Sequence, residues 1–272
     1  MGYVAVALVA APVLVGALYS LAAALGIAGA GASGLDLSRV IRVVGDANTW
    51  RSVAWTLTTA SIATAIATTA ALFIAVRLQH SRVGQRLAVI PLAVPHIAAA
   101  FAALLLLGQS GLLSRVAFAV GLTTQPSDFP ALVYDRSGVA LIASFAWKEL
   151  PFLALTAFAV LATQGNALSE VARTHGANAS DISRRITLPL LARGIAPAVI
   201  AAFAYLLGQY EMAVVLAPSD PLPLSLLTYE RALDGDLQHR GEAHVLGLIA
   251  LLFTGALVAL HERTRRANEA HA

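Results

Sequence analysis

Six long apolar runs, near Tyr3 to Gly29, Ser52 to Val76, Leu87 to Leu107, Gly138 to Ala162, Gly194 to Ala217 and Ala243 to His261, constrain this chain more than any motif in it. About 20 apolar residues at 1.5 Å rise per residue cross the ~30 Å hydrocarbon core of a bilayer, where every backbone N–H and C=O must find its partner within the protein. Runs of this length predict six transmembrane helices and an all-α, polytopic membrane fold. Composition agrees, since 58% of the 272 residues are hydrophobic and only 12% are charged, half the charged share of a soluble domain. The first run is too long for the apolar stretch of a signal peptide and has no Lys or Arg before it, so it is read as a span.

Basic residues in short loops are retained on the cytoplasmic side. Arg77, Arg82, Arg86, Arg173, Arg184, Arg185, Arg193, Arg263, Arg265 and Arg266 fall in the second and fourth loops and the tail; Arg39, Arg42, Arg51, Arg115, Arg136, Arg231 and Arg240 fall in the others. The acids Asp36, Asp46, Asp128, Asp135, Asp220, Glu230, Asp234, Asp236 and Glu242 all lie in the second group. The pattern predicts cytoplasmic termini. Residues 1–49 then form the first span with an outward loop, 50–266 the main membrane domain and 267–272 a cytoplasmic tail.

The most informative polar segment is the fourth loop, 166–193, whose punctuation predicts a helix-turn-helix. Asn166 is placed to cap a first helix on which Leu168, Val171 and Ala172 share one side and Ser169, Glu170 and Arg173 another. Gly176 suits the left-handed stop. Asn178 is placed to cap a second helix with Asp181 in its first turn, Ile182 and Ile186 share a face, and Pro189 marks the passage into the next span.

These residues resemble the cytoplasmic signature of binding-protein-dependent ABC importer permeases of the type I fold: Glu-Ala-Ala, three residues, Gly, nine residues, Ile, any residue, Leu-Pro. Here it reads Glu170-Val171-Ala172, Gly176, then Ile186-Thr187-Leu188-Pro189, with every spacing kept and Val171 the one departure. The resemblance runs from about Trp50 to Arg266. Through Trp147-Lys148-Glu149-Leu150-Pro151-Phe152 and Leu207-Gly208-Gln209-Tyr210-Glu211 it leans toward the polyamine, thiamine and ferric-ion branch.

The family resemblance implies a non-catalytic permease subunit of the bacterial cytoplasmic membrane. Its partners would be ABC ATPase subunits that hold ATP and Mg, a second permease subunit and an extracytoplasmic solute-binding protein. It also implies that the loop residues Glu170, Val171, Ala172, Arg173, Gly176, Ile186, Leu188 and Pro189 dock into the ATPase, with Glu170 pairing with a basic group there.

Charges inside spans are costly and usually face a partner or a water-filled path. Glu211 and Gln209, with Tyr210, Lys148 and Glu149 nearby in sequence or in the fourth span, are the candidates for a translocation pathway suited to a cationic or polar solute; a structural Lys148–Glu211 pair is the competing reading. His96 is read as packing, and Pro91, Pro95 and Pro151 as helix kinks. The stretch from Pro218 to Glu242 is read as a solvated outward connector that a solute-binding protein could also touch. Asp234 and Asp236 lack the ligand count of a calcium loop, and no metal or cofactor is expected in this chain.

Several functions are excluded by what the chain lacks. Without cysteine there is no disulfide, thiolate site or Cys nucleophile. A phosphate-binding Gly-x-x-x-x-Gly-Lys-Ser/Thr cannot be built around Lys148, the sole lysine, so ATP hydrolysis must come from another polypeptide. No Gly-x-Ser-x-Gly or zinc-protease pattern is present. The arginines are dispersed as topology would place them, which gives no reason to expect nucleic-acid binding. An ATP-independent secondary transporter is the alternative, although the two halves show no visible repeat.

Because the natural chain has no cysteine, introduced ones report topology. Arg184→Cys should be protected from a membrane-impermeant maleimide added outside intact cells and Asp234→Cys should be labelled; the inverse pattern would reverse the orientation.

Overall fold

The computed structural model describes residues 2–270; the side chains of residues 2–6, 9, 164–168 and 267–270 lie outside the described set. The elements, in order, are α1 (Gly2–Ala24), α2 (Ser38–Gly45), α3 (Ala47–Leu78), α4 (Arg82–Ala88), α5 (His96–Leu107), α6 (Leu112–Ala119), α7 (Val139–Val160), α8 (Asn166–Thr174), α9 (Ala179–Ile182), α10 (Leu188–Leu207), α11 (Ala213–Leu216), α12 (Leu224–Ala232) and α13 (Leu237–Ala270). Among the described residues there is no strand. Five helical stretches are long and apolar enough to cross a membrane: Ala47–Leu78, His96–Ala119, Val139–Thr163, Ala179–Leu207 and Leu237–Arg266; α1 contributes a shorter one, Ala10–Ala24.

Two spans depart from the sequence expectation. The third was expected at Leu87 to Leu107, but residues 90–93 form a 3-10 turn, Val94 is extended and the helix starts only at His96. Pro91 and Pro95 therefore break the chain rather than kink it, because each removes an amide donor and the residue before a proline is pushed out of the helical region. The apolar stretch consequently runs on to Ala119. Pro151, by contrast, is accommodated inside α7. The fifth span, expected at Gly194 to Ala217, begins earlier at Ala179 and stops at Leu207, and residues 208–212 interrupt the helix before α11.

The chain divides into two compact units. One comprises Met1–Thr56 and Pro221–Ala272. Within it α13 is the hub, packed on α12, α1 and α2. Arg39 of α2, 1% exposed, donates to the carbonyls of Ala23 at 2.7 Å and Gly31 at 2.6 Å. It thereby closes the end of α1. Gly241 of α13 lets the guanidinium lie against the helix, since a Cβ there would meet Arg39 Cδ at 2.5 Å.

Next to it the buried carboxylate of Glu242 takes Arg42 at 2.7 Å and Arg231 at 3.4 Å. Ser52 donates to the Leu222 carbonyl, and the Leu224 amide donates to Thr56 Oγ1 at 2.8 Å. The segment from Pro221 to Glu242 is thus a folded helical clasp, not the solvated connector the sequence suggested. Asp234 accepts from the Asp236 amide at 2.8 Å and binds His239 Nδ1 at 3.0 Å. The amide bond first, and then His239, holds the Asp234 carboxyl below its usual range.

The second unit is Leu57–Asp220. Here α7 is the hub, packed on α10 and α5. Ala75, Ala157, Leu161, Leu191 and Ile195 form a closed cluster with Leu72, Val76, Phe158, Val160 and Val199 around it. A Cβ at Gly194 would lie 2.8 Å from both Val160 methyl carbons, so glycine sets the close approach of α10 to α7. Small residues at such crossings are how membrane helices gain packing contact in place of a hydrophobic driving force.

Replacing Arg39 with Met should leave the Ala23 and Gly31 carbonyls without donors and lower stability by on the order of 3 kcal/mol. The loss should appear as a lower melting temperature of the detergent-purified protein. An unchanged melting temperature would mean that Arg39 closes nothing.

Candidate functional site

The 166–193 loop grows directly out of two spans. Below α7 the helix widens into a π turn, Leu161–Gly165, and continues without interruption as α8. The expected cap at Asn166 and the facing of Leu168 fall on side chains outside the described set. At the far end the helix stops in a Schellman arrangement: the Ala177 amide reaches the Ala172 carbonyl at 3.0 Å, the Gly176 amide reaches Arg173 at 3.0 Å, and Gly176 has φ +82. Asn178 then caps α9, its side-chain oxygen accepting from the Asp181 amide at 2.9 Å, and Asp181 faces Arg185 at 3.6 Å.

A second π turn, Ser183–Thr187, joins α9 to α10. Its Leu188 amide bonds to the Ser183 carbonyl, five residues back. This widening has two consequences. It lets the helix run through the approach to Pro189, where an ordinary turn would clash with the proline ring. It also shifts the register, so the residue buried with Ile182 is Thr187 and not Ile186, which is only half-buried. The shared Ile182–Ile186 face expected from a regular helix is corrected accordingly.

The knob presents Glu170, Arg173, Gly176, Leu188 and Pro189 to solvent, with Ala172 half-buried. Val171 is 58% exposed, an aliphatic side chain pointing away from its own protein. Ser169, Glu170 and Arg173 instead line a cleft of about 470 Å³ with Ile182, Ser183 and Thr187 across from them and His80 at the end of α3.

The membrane-embedded polar residues gather around the two helix interruptions. Lys148 of α7 donates its ammonium to the Pro91 carbonyl at 2.8 Å and the Val94 carbonyl at 2.6 Å. It therefore serves the broken segment, and among the described residues no ion pair joins it to Glu211. Glu149, 6% exposed, lines a cavity of about 420 Å³ with His96, Lys148, Phe152 and Tyr205. Tyr205 binds His96 Nε2 at 3.3 Å and accepts from Gln209 Nε2 at 3.0 Å. Gln209 Oε1 in turn accepts the Glu211 amide at 3.1 Å, which shapes the turn after α10; the Glu211 side chain is exposed and Tyr210 half-buried.

Of the proposed pathway residues, Lys148 and Glu149 line this cavity, while Gln209 reaches it only through Tyr205. His96, Phe152 and Tyr205 belong to it although the sequence reading gave them no role. The spacing of Tyr205 and Gln209, one helical turn apart, was the available signal.

Residues 67–265 match the family model of the binding-protein-dependent transport system inner membrane component. The chain is 28% identical to the inner membrane ABC transporter permease protein YnjC of Escherichia coli (strain K12) over 172 residues, 62% of this chain and 31% of that protein. It is 29% identical to the molybdenum transport system permease protein ModB of Mycobacterium bovis over 179 residues, 64% of this chain and 61% of ModB. The chain thus spans about a third and three-fifths of these relatives' lengths.

Two solved structures share the fold. One is a bacterial alginate ABC transporter in complex with alginate pentasaccharide-bound periplasmic protein, with TM-score 0.74, 17% identity and 93% and 87% of the two chains covered. The other is a bacterial ABC transporter involved in the import of the acidic polysaccharide alginate, with TM-score 0.75, 16% identity and 97% and 96% covered.

Asn178→Ala should remove the cap of α9 at a cost of about 1 kcal/mol. Amide exchange across residues 179–187 should accelerate roughly fivefold, while that of α7 stays unchanged. Equal acceleration throughout would show that the loop has no local stability of its own.

Proposed function

Because this chain belongs to the family of binding-protein-dependent transport system inner membrane components, we propose that it is the membrane-spanning subunit of an ATP-driven importer, moving a small solute by alternating access while separate ATPase subunits burn the ATP. The chain is a multi-pass inner-membrane protein of the ABC permease type. Both termini and the 166–193 loop face the cytoplasm in this reading. A second permease subunit, the same or similar, completes the pathway, and an extracytoplasmic binding protein delivers the solute. The chain itself catalyses nothing.

The observation that carries the proposal is the suspension of the loop. The exposed helix bearing Glu170, Val171 and Ala172 hangs from α7 through one π turn, and α9 rises into α10 through another. Just above, α7 and α10 are clamped by the Leu161, Leu191 and Ile195 cluster. A push on the knob must tilt both spans together, since neither joint contains a flexible linker. Val171 supplies apolar area for the ATPase surface, and Glu170 the charge for a basic group on it. ATP-driven closure of the two ATPase subunits would draw the knobs together and turn the bundle.

The interrupted segments at 90–95 and 208–212 favour, as a second reading, an ATP-independent carrier, because broken helices mark ion and solute sites in that class. Energy dependence separates the two. Membrane vesicles loaded with ATP should accumulate solute, and vesicles with an ion gradient but no ATP should not.

Val171→Cys, otherwise cysteine-free, should crosslink to the co-purifying ATPase subunit. Glu170→Ala should leave the complex assembled while cutting solute-stimulated ATP hydrolysis by roughly tenfold or more. Failure of any crosslinker at residues 170–189 to capture a nucleotide hydrolase would overturn the proposal.

A further inference from the structure

The cavity between α5, α7 and α10 has an unbalanced set of hydrogen-bonding groups. The Glu149 side chain is more than nine-tenths buried and lines this space, yet among the described residues no hydrogen bond or salt bridge reaches its carboxylate. A buried carboxyl without hydrogen-bond donors is costly to ionise, so N–H donors brought by a ligand would stabilise its charged form. The neighbouring Lys148 attracts this carboxyl through space but donates no hydrogen bond to it. Two of its three ammonium hydrogens are committed to the Pro91 and Val94 carbonyls at 2.8 and 2.6 Å, on the broken segment before α5.

Apart from Lys148 and His96, the rest of the lining is aromatic and aliphatic. Phe152 and Tyr205 contribute ring surface, Tyr205 being held by His96 and Gln209, and Leu92, Ala201 and Ala202 complete the wall. A carboxylate beside aromatic faces in a mostly apolar cavity is the combination that recognises an organic ammonium: the acid pairs with the N–H donors, and the ring faces attract the cation and its alkyl groups. Bare metal ions fit less well, because among the described residues no group of three or more His, Cys, Asp or Glu is gathered anywhere. A volume of about 420 Å³ admits a small molecule of a dozen or so heavy atoms.

We propose that the Glu149, Phe152 and Tyr205 cavity is a binding site for an organic ammonium solute. The inference deepens the importer reading above and rests on it for its place in a transport path, while the binding itself stands on this geometry alone.

The test uses the full chain, purified from membranes with whatever subunits accompany it and held in lipid nanodiscs. Two probes of matched shape and opposite charge, n-butylammonium and butyrate, are compared by saturation-transfer NMR. Butylammonium should bind saturably and butyrate should not. Glu149→Gln should weaken butylammonium by roughly tenfold or more, since a charge-assisted hydrogen bond is lost. Glu230→Gln, the same charge change on the exposed face of α12, should leave it within about twofold.

Butyrate binding as well as butylammonium, or full binding in Glu149→Gln, would overturn the site. Should Glu149→Gln fail to fold, the wild-type probe pair and Phe152→Leu, expected to weaken butylammonium, still decide it. The Val171→Cys crosslink in the same preparation keeps the two ideas apart. Crosslinking without ammonium binding refutes only the site, and ammonium binding without crosslinking refutes only the ATPase-coupled reading.

Discussion

In hydrocarbon an unpaired backbone carbonyl has no water to fall back on, and the membrane part of this protein is arranged around one solution to that problem. The prolines at 91 and 95 stop the helix before α5, and the Pro91 carbonyl is left with one long bond from the Val94 amide at 3.3 Å. The ammonium of Lys148 adds a donor to that carbonyl and to the Val94 carbonyl. A charge that would be prohibitive alone becomes the closure of a break, and it ties α7 to the segment that leads into α5. Because its hydrogens are spent in this way, Lys148 donates none to the Glu149 carboxyl beside it, which lines the cavity.

The same helix carries both the polar cavity and the exposed knob of residues 166–193. From Glu149 to Leu161 is about 18 Å along an α-helix at 1.5 Å per residue, and beyond Leu161 the chain stays helical through the π turn into α8. A cavity and an exposed knob on one stiff rod are mechanically linked without any relay of side chains. Gly194 and Ala157 bring α10 close against α7, so the two limbs of the loop hang from one tightly packed pair of helices. The π turns serve as joints that preserve the rod: each widens one turn to accommodate local strain, and neither interrupts the hydrogen-bonded ladder as a linker would.

Local chemistry was readable where it depends on neighbours in sequence. Gly176 and Asn178 take the roles their residue types suggest, because a left-handed stop and an N-terminal cap are satisfied within a few residues. Positions that depend on a different helix were not readable. The partner of Lys148 is a pair of backbone carbonyls more than fifty residues away, which no side-chain pattern advertises, so an ion pair with Glu211 looked equally reasonable. Ile186 lost its expected place to Thr187 because a single π turn moves the register, and periodicity arguments assume the regular 3.6-residue repeat. The clasp between Pro221 and Glu242 was missed for a related reason: its anchors are Ser52, Thr56, Arg42 and Glu242, joined across roughly 170 to 200 positions.

What the amino-acid order determined unaided is the class of protein and the helix-turn-helix design of its 166–193 knob. Twenty-residue apolar runs admit only helices in a bilayer, and the spacing from Glu170 to Pro189 is a local, contiguous signature that leads to the permease family. What the tertiary structure alone decided is where the helices break and which buried carboxyl is left without a hydrogen-bond donor. The reason is energetic: an orphan carbonyl or a buried carboxylate takes whichever donor the packed helices bring within 3 Å, and that choice is made by packing in space rather than by order along the chain.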